Sequence, residues 1–176
     1  MNPVGLILCD RLLNFPIESL PTGKKICQPY FRIPSLKIAV AMHEKYQRII
    51  FNLPQKNVYY LLNPQNNLPK SENVFREKFE ALSGWNGTTG KDPNGSEFKD
   101  HLVRDDVYIY VGHGSGHRYL NNGLLDCVKL NPVGLVFGCS SARTVEYGKL
   151  SEVYGAQYKF LMHGSPSYLG VLWDVT

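Results

Sequence analysis

The sequence predicts an α/β fold in which helices sandwich a largely parallel sheet. Short apolar runs of strand type, such as Val58-Tyr-Tyr-Leu-Leu62, Val107-Tyr-Ile-Tyr-Val111 and Val133-Gly-Leu-Val-Phe137, alternate with segments of 3.6-residue apolar period. Proline and glycine pairs punctuate the junctions. The length of 176 residues, 43% of them apolar and 12% aromatic, suits one domain with a substantial core.

Residues 4–9 read as a short buried strand closed by Asp10 and Arg11. Residues 14–36 are broken by Phe15-Pro16, Leu20-Pro21, Gln28-Pro29 and Ile33-Pro34, and are expected to be mostly extended. A helix is expected over 35–51, with Leu36, Ala39, Val40, Met42 and His43 on or near one face. After a turn at Leu53-Pro54 comes the strand Val58–Leu62, which Asn63-Pro64 ends. Ser71 and Glu72 open a helix with Val74, Phe75, Phe79 and Leu82 at helical spacing, and Gly84 is its expected stop. The segment Gly84-Trp-Asn-Gly-Thr-Thr-Gly-Lys-Asp-Pro93 reads as an irregular loop. Ser96 is then expected to cap a short helix carrying Phe98, Leu102 and Val103, ended by solvated Asp105 and Asp106. Strands over 107–111 and 133–137, a helix over 151–164 and a strand from Tyr168 to Trp173 complete the series. The chain stops at Asp174-Val-Thr176 directly after that strand, with no closing helix. Residues 1–50 lack regular alternation and read as a flanking part or neighbouring subdomain, leaving 51–176 as the main domain. Tyr108, Tyr110, Tyr119, Tyr147, Tyr154 and Tyr158 are expected to pack the layers with their hydroxyls at the rim, and Trp85 and Trp173 to anchor the core.

Bulk properties exclude several functions. The net charge of +4 is mild, and the basic residues are scattered, so no nucleic-acid footprint is present. Cysteines at 9, 27, 127 and 139 form no C-x-x-C pair, which argues against a zinc site and fits reduced intracellular thiols. The apolar run Val4 to Cys9 lacks the basic start and length of a signal peptide. No run approaches the ~20 apolar residues of a membrane span. A soluble intracellular protein is expected.

The chemistry concentrates at two glycine-fenced strand ends, Gly112-His-Gly-Ser-Gly116 and Gly138-Cys-Ser-Ser141. Parallel strands bring such loop tips to one sheet edge, where a cysteine could find the base it needs. Glycines around His113 leave its imidazole accessible. The backbone N–H groups of Gly114 and Cys139 are candidate donors to a developing oxyanion. Cys9, Cys27 and Cys127 are expected to pack as small hydrophobes. Ser140 offers a rival nucleophile in Gly138-Cys-Ser-Ser-Ala142, but only His163 follows it, with little room for the esterase elements. His113 and His117 have a zincin spacing, but the glycine and serine between them disfavour a helix and no His-Glu pair is present. Gly112–Gly116 is no phosphate loop, since no Gly-Lys-Ser/Thr follows.

Six segments resemble, in order, the C-terminal protease region of separase, a caspase-like clan CD cysteine endopeptidase. They are Gln28-Pro-Tyr-Phe-Arg-Ile-Pro-Ser-Leu36, Val58 to Leu68, Gly84 to Pro93 with Glu97-Phe98, Tyr108 to Tyr119, Phe137-Gly-Cys-Ser-Ser141, and Gly164-Ser-Pro166 with Leu172-Trp-Asp-Val-Thr176. The resemblance implies a caspase-like α/β/α sandwich with His113 as catalytic histidine and Cys139 as nucleophile. It implies cleavage after arginine in a Glu-x-x-Arg context, without metal or organic cofactor. The kleisin subunit of cohesin would be the substrate and securin a pseudosubstrate inhibitor, with no direct nucleic-acid or membrane partner. The implied location is the cytoplasm and nucleus, with spindle or centrosome.

Three departures qualify the resemblance. The helical-repeat region expected of the family is not found among these 176 residues. The chain ends inside the family's Trp-Asp-Val-Thr-Asp motif, so the acidic reader of the substrate arginine is expected beyond Thr176. Ala142 also stands where a glycine is usual. The fold is therefore expected to be incomplete at its C-terminus, and independent proteolysis weak or absent. A different caspase-like peptidase of CHAT type, and an inactive module binding securin or kleisin peptides, are the alternatives.

Overall fold

A computed structural model of the chain describes residues 3–21, 29–46, 57–120, 128–146 and 153–175. Its strands are β1 (Val4–Ile7), β2 (Tyr30–Ile33), β3 (Val58–Leu62), β4 (Trp85–Thr89), β5 (Val107–Val111), β6 (Val133–Phe137), β7 (Val145–Glu146), β8 (Val153–Tyr154) and β9 (Tyr168–Gly170). Its helices are α1 (Asp10–Leu13), α2 (Leu36–Tyr46), α3 (Pro69–Glu80), α4 (Gly95–Arg104) and α5 (Ala156–Met162).

The central sheet has the order β4-β3-β5-β6-β9 and is parallel throughout. Parallel neighbours need crossovers, and α3 and α4 supply them for β3, β4 and β5. Tyr59, Leu61, Tyr108, Tyr110 and Val136 meet Phe98 and Leu102 of α4 and Phe160 of α5 on one face. Val58, Tyr60, Leu62, Val107 and Ile109 meet Phe75 and Phe79 of α3 on the other. With both faces covered, β3 and β5 are continuous apolar runs rather than alternating ones.

The amino-terminal segment forms a separate parallel pair, β1 with β2. Arg32 ties it internally, pairing with the Glu18 carboxylate at 2.6 Å and donating to the carbonyls of Leu13 and Phe15. Asn14 reaches across to Thr144, donating to its carbonyl at 2.9 Å and accepting its N–H at 2.8 Å and its hydroxyl at 3.0 Å. That clasp joins the first strands to the chain just beyond Cys139.

Several local expectations change. The first strand stops at Ile7, and Cys9 is an exposed N-cap residue of α1 rather than a packed hydrophobe. Cys27, Cys127, Tyr147 and the turn at Leu53-Pro54 lie outside the described residues, as does 47–51 of the expected helix. The extended stretch 14–36 contains a 3₁₀ turn over Ile17–Ser19. Helix α3 begins at Pro69, whose fixed φ suits a first turn, and ends at Glu80, so Gly84 (φ 80°) links it to β4 instead of stopping it.

The glycine-rich segment Gly84–Pro93 is not irregular: β4 occupies its first half as an edge strand against β3. Gly87 permits this, because a Cβ there would collide with the Tyr60 ring and carbonyl. Asn94, not Ser96, caps α4, its Oδ1 accepting the Ser96 N–H at 3.1 Å. Residues 153–154 pair as β8 with β7, and the extended Gly155 separates them from α5, so the expected helix over 151–164 is shorter. Trp85 packs on Tyr60 and Phe79, whereas Trp173 is 59% exposed. The Tyr108 hydroxyl is buried with no hydrogen-bond partner among the described residues, not placed at the rim.

Asp105 also departs from expectation. It is buried, accepting from His101 Nδ1 at 2.7 Å and from Arg104 Nε at 3.3 Å, while the His101 ring stacks on Tyr59 with centroids 4.1 Å apart. Asp106 is half-buried and accepts the Asn57 N–H at 3.2 Å. Asp105→Ala strands a buried ring N–H and is expected to lower stability by about 1–3 kcal/mol in a urea melt, with Asp105→Asn recovering part of the loss.

Candidate active site

Strands β5 and β6 pair in parallel register from Val107 opposite Val133 to Val111 opposite Phe137. The loops that follow, carrying His113 and Cys139, both leave the carboxyl edge of the sheet from these neighbouring strands. The two loops then touch. A Cβ on Gly138 would collide with the Gly114 carbonyl and stand 2.9 Å from Gly112 O, so only glycine allows this approach.

Tyr110 supports the histidine loop from below. It is fully buried, and its hydroxyl donates to the His113 carbonyl at 2.6 Å. Glycines 112, 116 and 138 crowd this side chain, since a Cβ on them would lie 2.6, 3.1 and 3.0 Å from Tyr110 atoms. Burial above all, with smaller contributions from Tyr119 and the nearby Cys139, pushes the Tyr110 hydroxyl well above the ordinary tyrosine range. It therefore stays a protonated donor. Sequence reasoning gave Tyr110 no such task; three glycines near one strand end were the available signal.

The reactive side chains remain accessible: His113 is exposed and Cys139 half-buried. Gly114, at φ 63° with open space over its Cα, turns the loop where a side chain would be strained. Among the described residues neither the Gly114 nor the Cys139 N–H donates to an acceptor, so both are uncommitted. Free N–H groups on two touching loops that also carry a thiol and an imidazole are the components acyl transfer needs.

The segment after β9 is the feature sequence reasoning missed. Instead of continuing as a strand to Trp173, residues 171–175 cross the cysteine loop. Ala142 N–H donates to Val171 O at 2.9 Å, and Ser140 N–H to Trp173 O at 3.0 Å. Ser140 Oγ donates to Asp174 Oδ1 at 3.0 Å, and Cys139 Sγ to Val175 O at 3.5 Å.

The rival sites do not assemble. Ser140 meets Asp174 and no imidazole. His163 follows α5 at the opposite sheet edge, its carbonyl accepting from Leu130 N–H at 2.8 Å just before β6. His117 opens a 3₁₀ turn after Gly116 and stands edge-on to Tyr154 at 6.2 Å, so it shares no helix face with His113. Burial, then the charge of Lys159, lowers the His117 pKa.

Comparison with known proteins gives the family. Residues 1–176 match the family described as separin, protease domain. The chain is 35% identical over 176 residues to separin of Mus musculus, 33% over 178 residues to separin of Emericella nidulans, and 31% over 181 residues to separin of Saccharomyces cerevisiae. These alignments cover 97%, 99% and 97% of the chain but only 8%, 8% and 11% of the relatives. Two crystal structures of the Saccharomyces cerevisiae separase–securin complex superpose with TM-scores of 0.79 and 0.76, at 27% and 28% identity. Each match covers 93% of this chain and 11% of the other. The mixed α/β architecture with its parallel sheet is thus the caspase-like fold of a separase protease domain. By its full-length match and these identities, the chain belongs to the separin protease-domain family.

Proposed function

We propose that the chain carries the catalytic centre of a separase-type cysteine endopeptidase that cleaves after arginine. The observation that carries this reading is the β5–β6 register, which sets the His113 and Cys139 loops against each other through Gly138. The Cys139 thiolate attacks the carbonyl carbon that follows the arginine side chain, and the N–H groups of Gly114 and Cys139 receive the oxyanion. His113 protonates the leaving nitrogen as the C–N bond breaks, leaving a thioester on Cys139. Water then attacks the thioester, passing a proton to His113 and releasing a carboxylate and the free thiol.

Family membership supports the kleisin subunit of cohesin as substrate, with separation of sister chromatids at anaphase as the consequence. It also supports securin as an inhibitory partner, since the solved relatives are separase–securin complexes. Cytoplasm and nucleus, with spindle or centrosome, are the corresponding places of action.

A fluorogenic peptide with a Glu-x-x-Arg sequence is the direct test. Weak cleavage after the arginine is expected, abolished by replacing that arginine or by Cys139→Ser. Cleavage that survives loss of the arginine would instead indicate a caspase-like peptidase of other specificity. Peptide binding without turnover, unchanged in Cys139→Ser, would indicate a binding module.

A further inference from the structure

The turn that carries Cys139 is held from two sides by unlike means. On its amino side Gly138 is wedged against the carbonyls of Gly112 and Gly114. On its carboxyl side Ser140 adopts φ 55°, a left-handed conformation that a β-carbon disfavours and that persists only where neighbours impose it. The imposing neighbours are the backbone and side chain of residues 173 and 174: the Trp173 carbonyl takes the Ser140 N–H and the Asp174 carboxylate takes its hydroxyl, both at 3.0 Å.

The root of this strap is fixed separately. Ser141 Oγ donates to Val136 O at 2.8 Å and accepts the Val171 N–H at 2.9 Å, while Ala142 N–H donates to Val171 O at 2.9 Å. Ser141 is buried, whereas Asp174 is exposed. Removing the Asp174 side chain therefore leaves strand β6 and the strap's root in place and loosens only its crossing over Ser140.

From this we infer that Asp174 is a positioning residue for Cys139. By fixing the Ser140 hydroxyl it holds the Cys139–Ser140 peptide in the orientation seen here, in which the Cys139 thiol lies against the strap and donates to the Val175 carbonyl at 3.5 Å. It acts as a hydrogen-bond acceptor, so its oxygen matters more than its charge. The assignment rests on the reading of Cys139 as nucleophile for its consequence, but its structural content does not depend on that reading.

The consequence is a coupled pair. In the full chain, Asp174→Ala and Ser140→Ala should each slow Cys139 alkylation by an arginine-bearing electrophile about 10-fold or more, because misplacement near 1 Å costs up to ~100-fold. The double variant should be no slower than either single one. Asp174→Asn, which keeps an acceptor oxygen, should recover most of the rate, and inhibitor affinity and melting midpoint should stay near wild type. Additive losses, an Asp174→Asn rate equal to that of Asp174→Ala, or a wild-type rate in Asp174→Ala would each overturn the assignment. Hydrogen exchange keeps it testable if Cys139 proves unreactive. Asp174→Ala should speed exchange of the Ser140 amide while the β6 amides stay protected; unchanged Ser140 protection would refute the strap whatever the chemistry does.

Discussion

Gly138→Ala is expected to lower turnover by roughly 100-fold or more, since loop separations near 1 Å cost about that much in rate. The added methyl meets the carbonyls of Gly114 and Gly112 and the ring of Tyr110, none of which can swing aside. The carbonyls belong to a loop anchored by the Tyr110 hydroxyl bond to His113 O, and Tyr110 itself is fully buried. Strand register fixes the other side, so the only relief is to part the two strand ends. Overpacking of this kind lowers stability by about 1–3 kcal/mol. Thermal melts and single-turnover rates on the same preparation read both effects. Gly95→Ala is the control: nothing lies within 4 Å of its added Cβ, and it occupies the first residue of α4. That variant should melt at or slightly above wild type, with unchanged turnover. A Gly138→Ala variant that behaves like Gly95→Ala would contradict the packing of the two loops.

His113→Ala should cost 10²–10⁴-fold in turnover, the usual range for a lost general acid, while leaving the fold intact because the side chain is exposed. His117→Ala should behave oppositely. That half-buried ring packs on Tyr154, so its loss should be felt first as reduced stability. Comparing melting midpoints and turnover of the two variants separates the residues cleanly. Equal turnover losses in both would mean the glycine-fenced loop works through its conformation rather than through the His113 imidazole.

The sheet was legible in the sequence because its central strands are buried on both faces. Such strands must be apolar throughout, and Val58–Leu62 and Val107–Val111 announce themselves. The two site loops were legible for a related reason, since glycine clusters at strand ends mark places where backbone must come close. Edge and strap elements were not. Strand β4 reads Trp-Asn-Gly-Thr-Thr, and its place in the sheet comes from tertiary pairing with β3, which outweighs its weak propensity. Residues 171–173 carry strand-like side chains, yet their backbone groups find partners at Ser140, Ser141 and Ala142. Asp105 looked like a solvated helix end because its partners lie across the fold or on the helix interior: Asn131 Nδ2 donates to its carbonyl at 2.9 Å and His101 to its carboxylate. Ser96 was expected to cap α4, but the helix starts at Gly95 and Asn94 takes that place, accepting the Ser96 N–H.

The pairing of His113 with Cys139 is tested most directly by intact-mass and peptide-mapped labelling with an arginine-bearing thiol-reactive electrophile. Cys139 should be labelled ahead of the other three of the four cysteines, and the exposed Cys9 is the internal reference for an ordinary thiol. His113→Ala should bring Cys139 down to the rate of Cys9. Uniformly slow labelling of all cysteines, or a Cys139 rate unchanged by His113→Ala, would contradict the dyad.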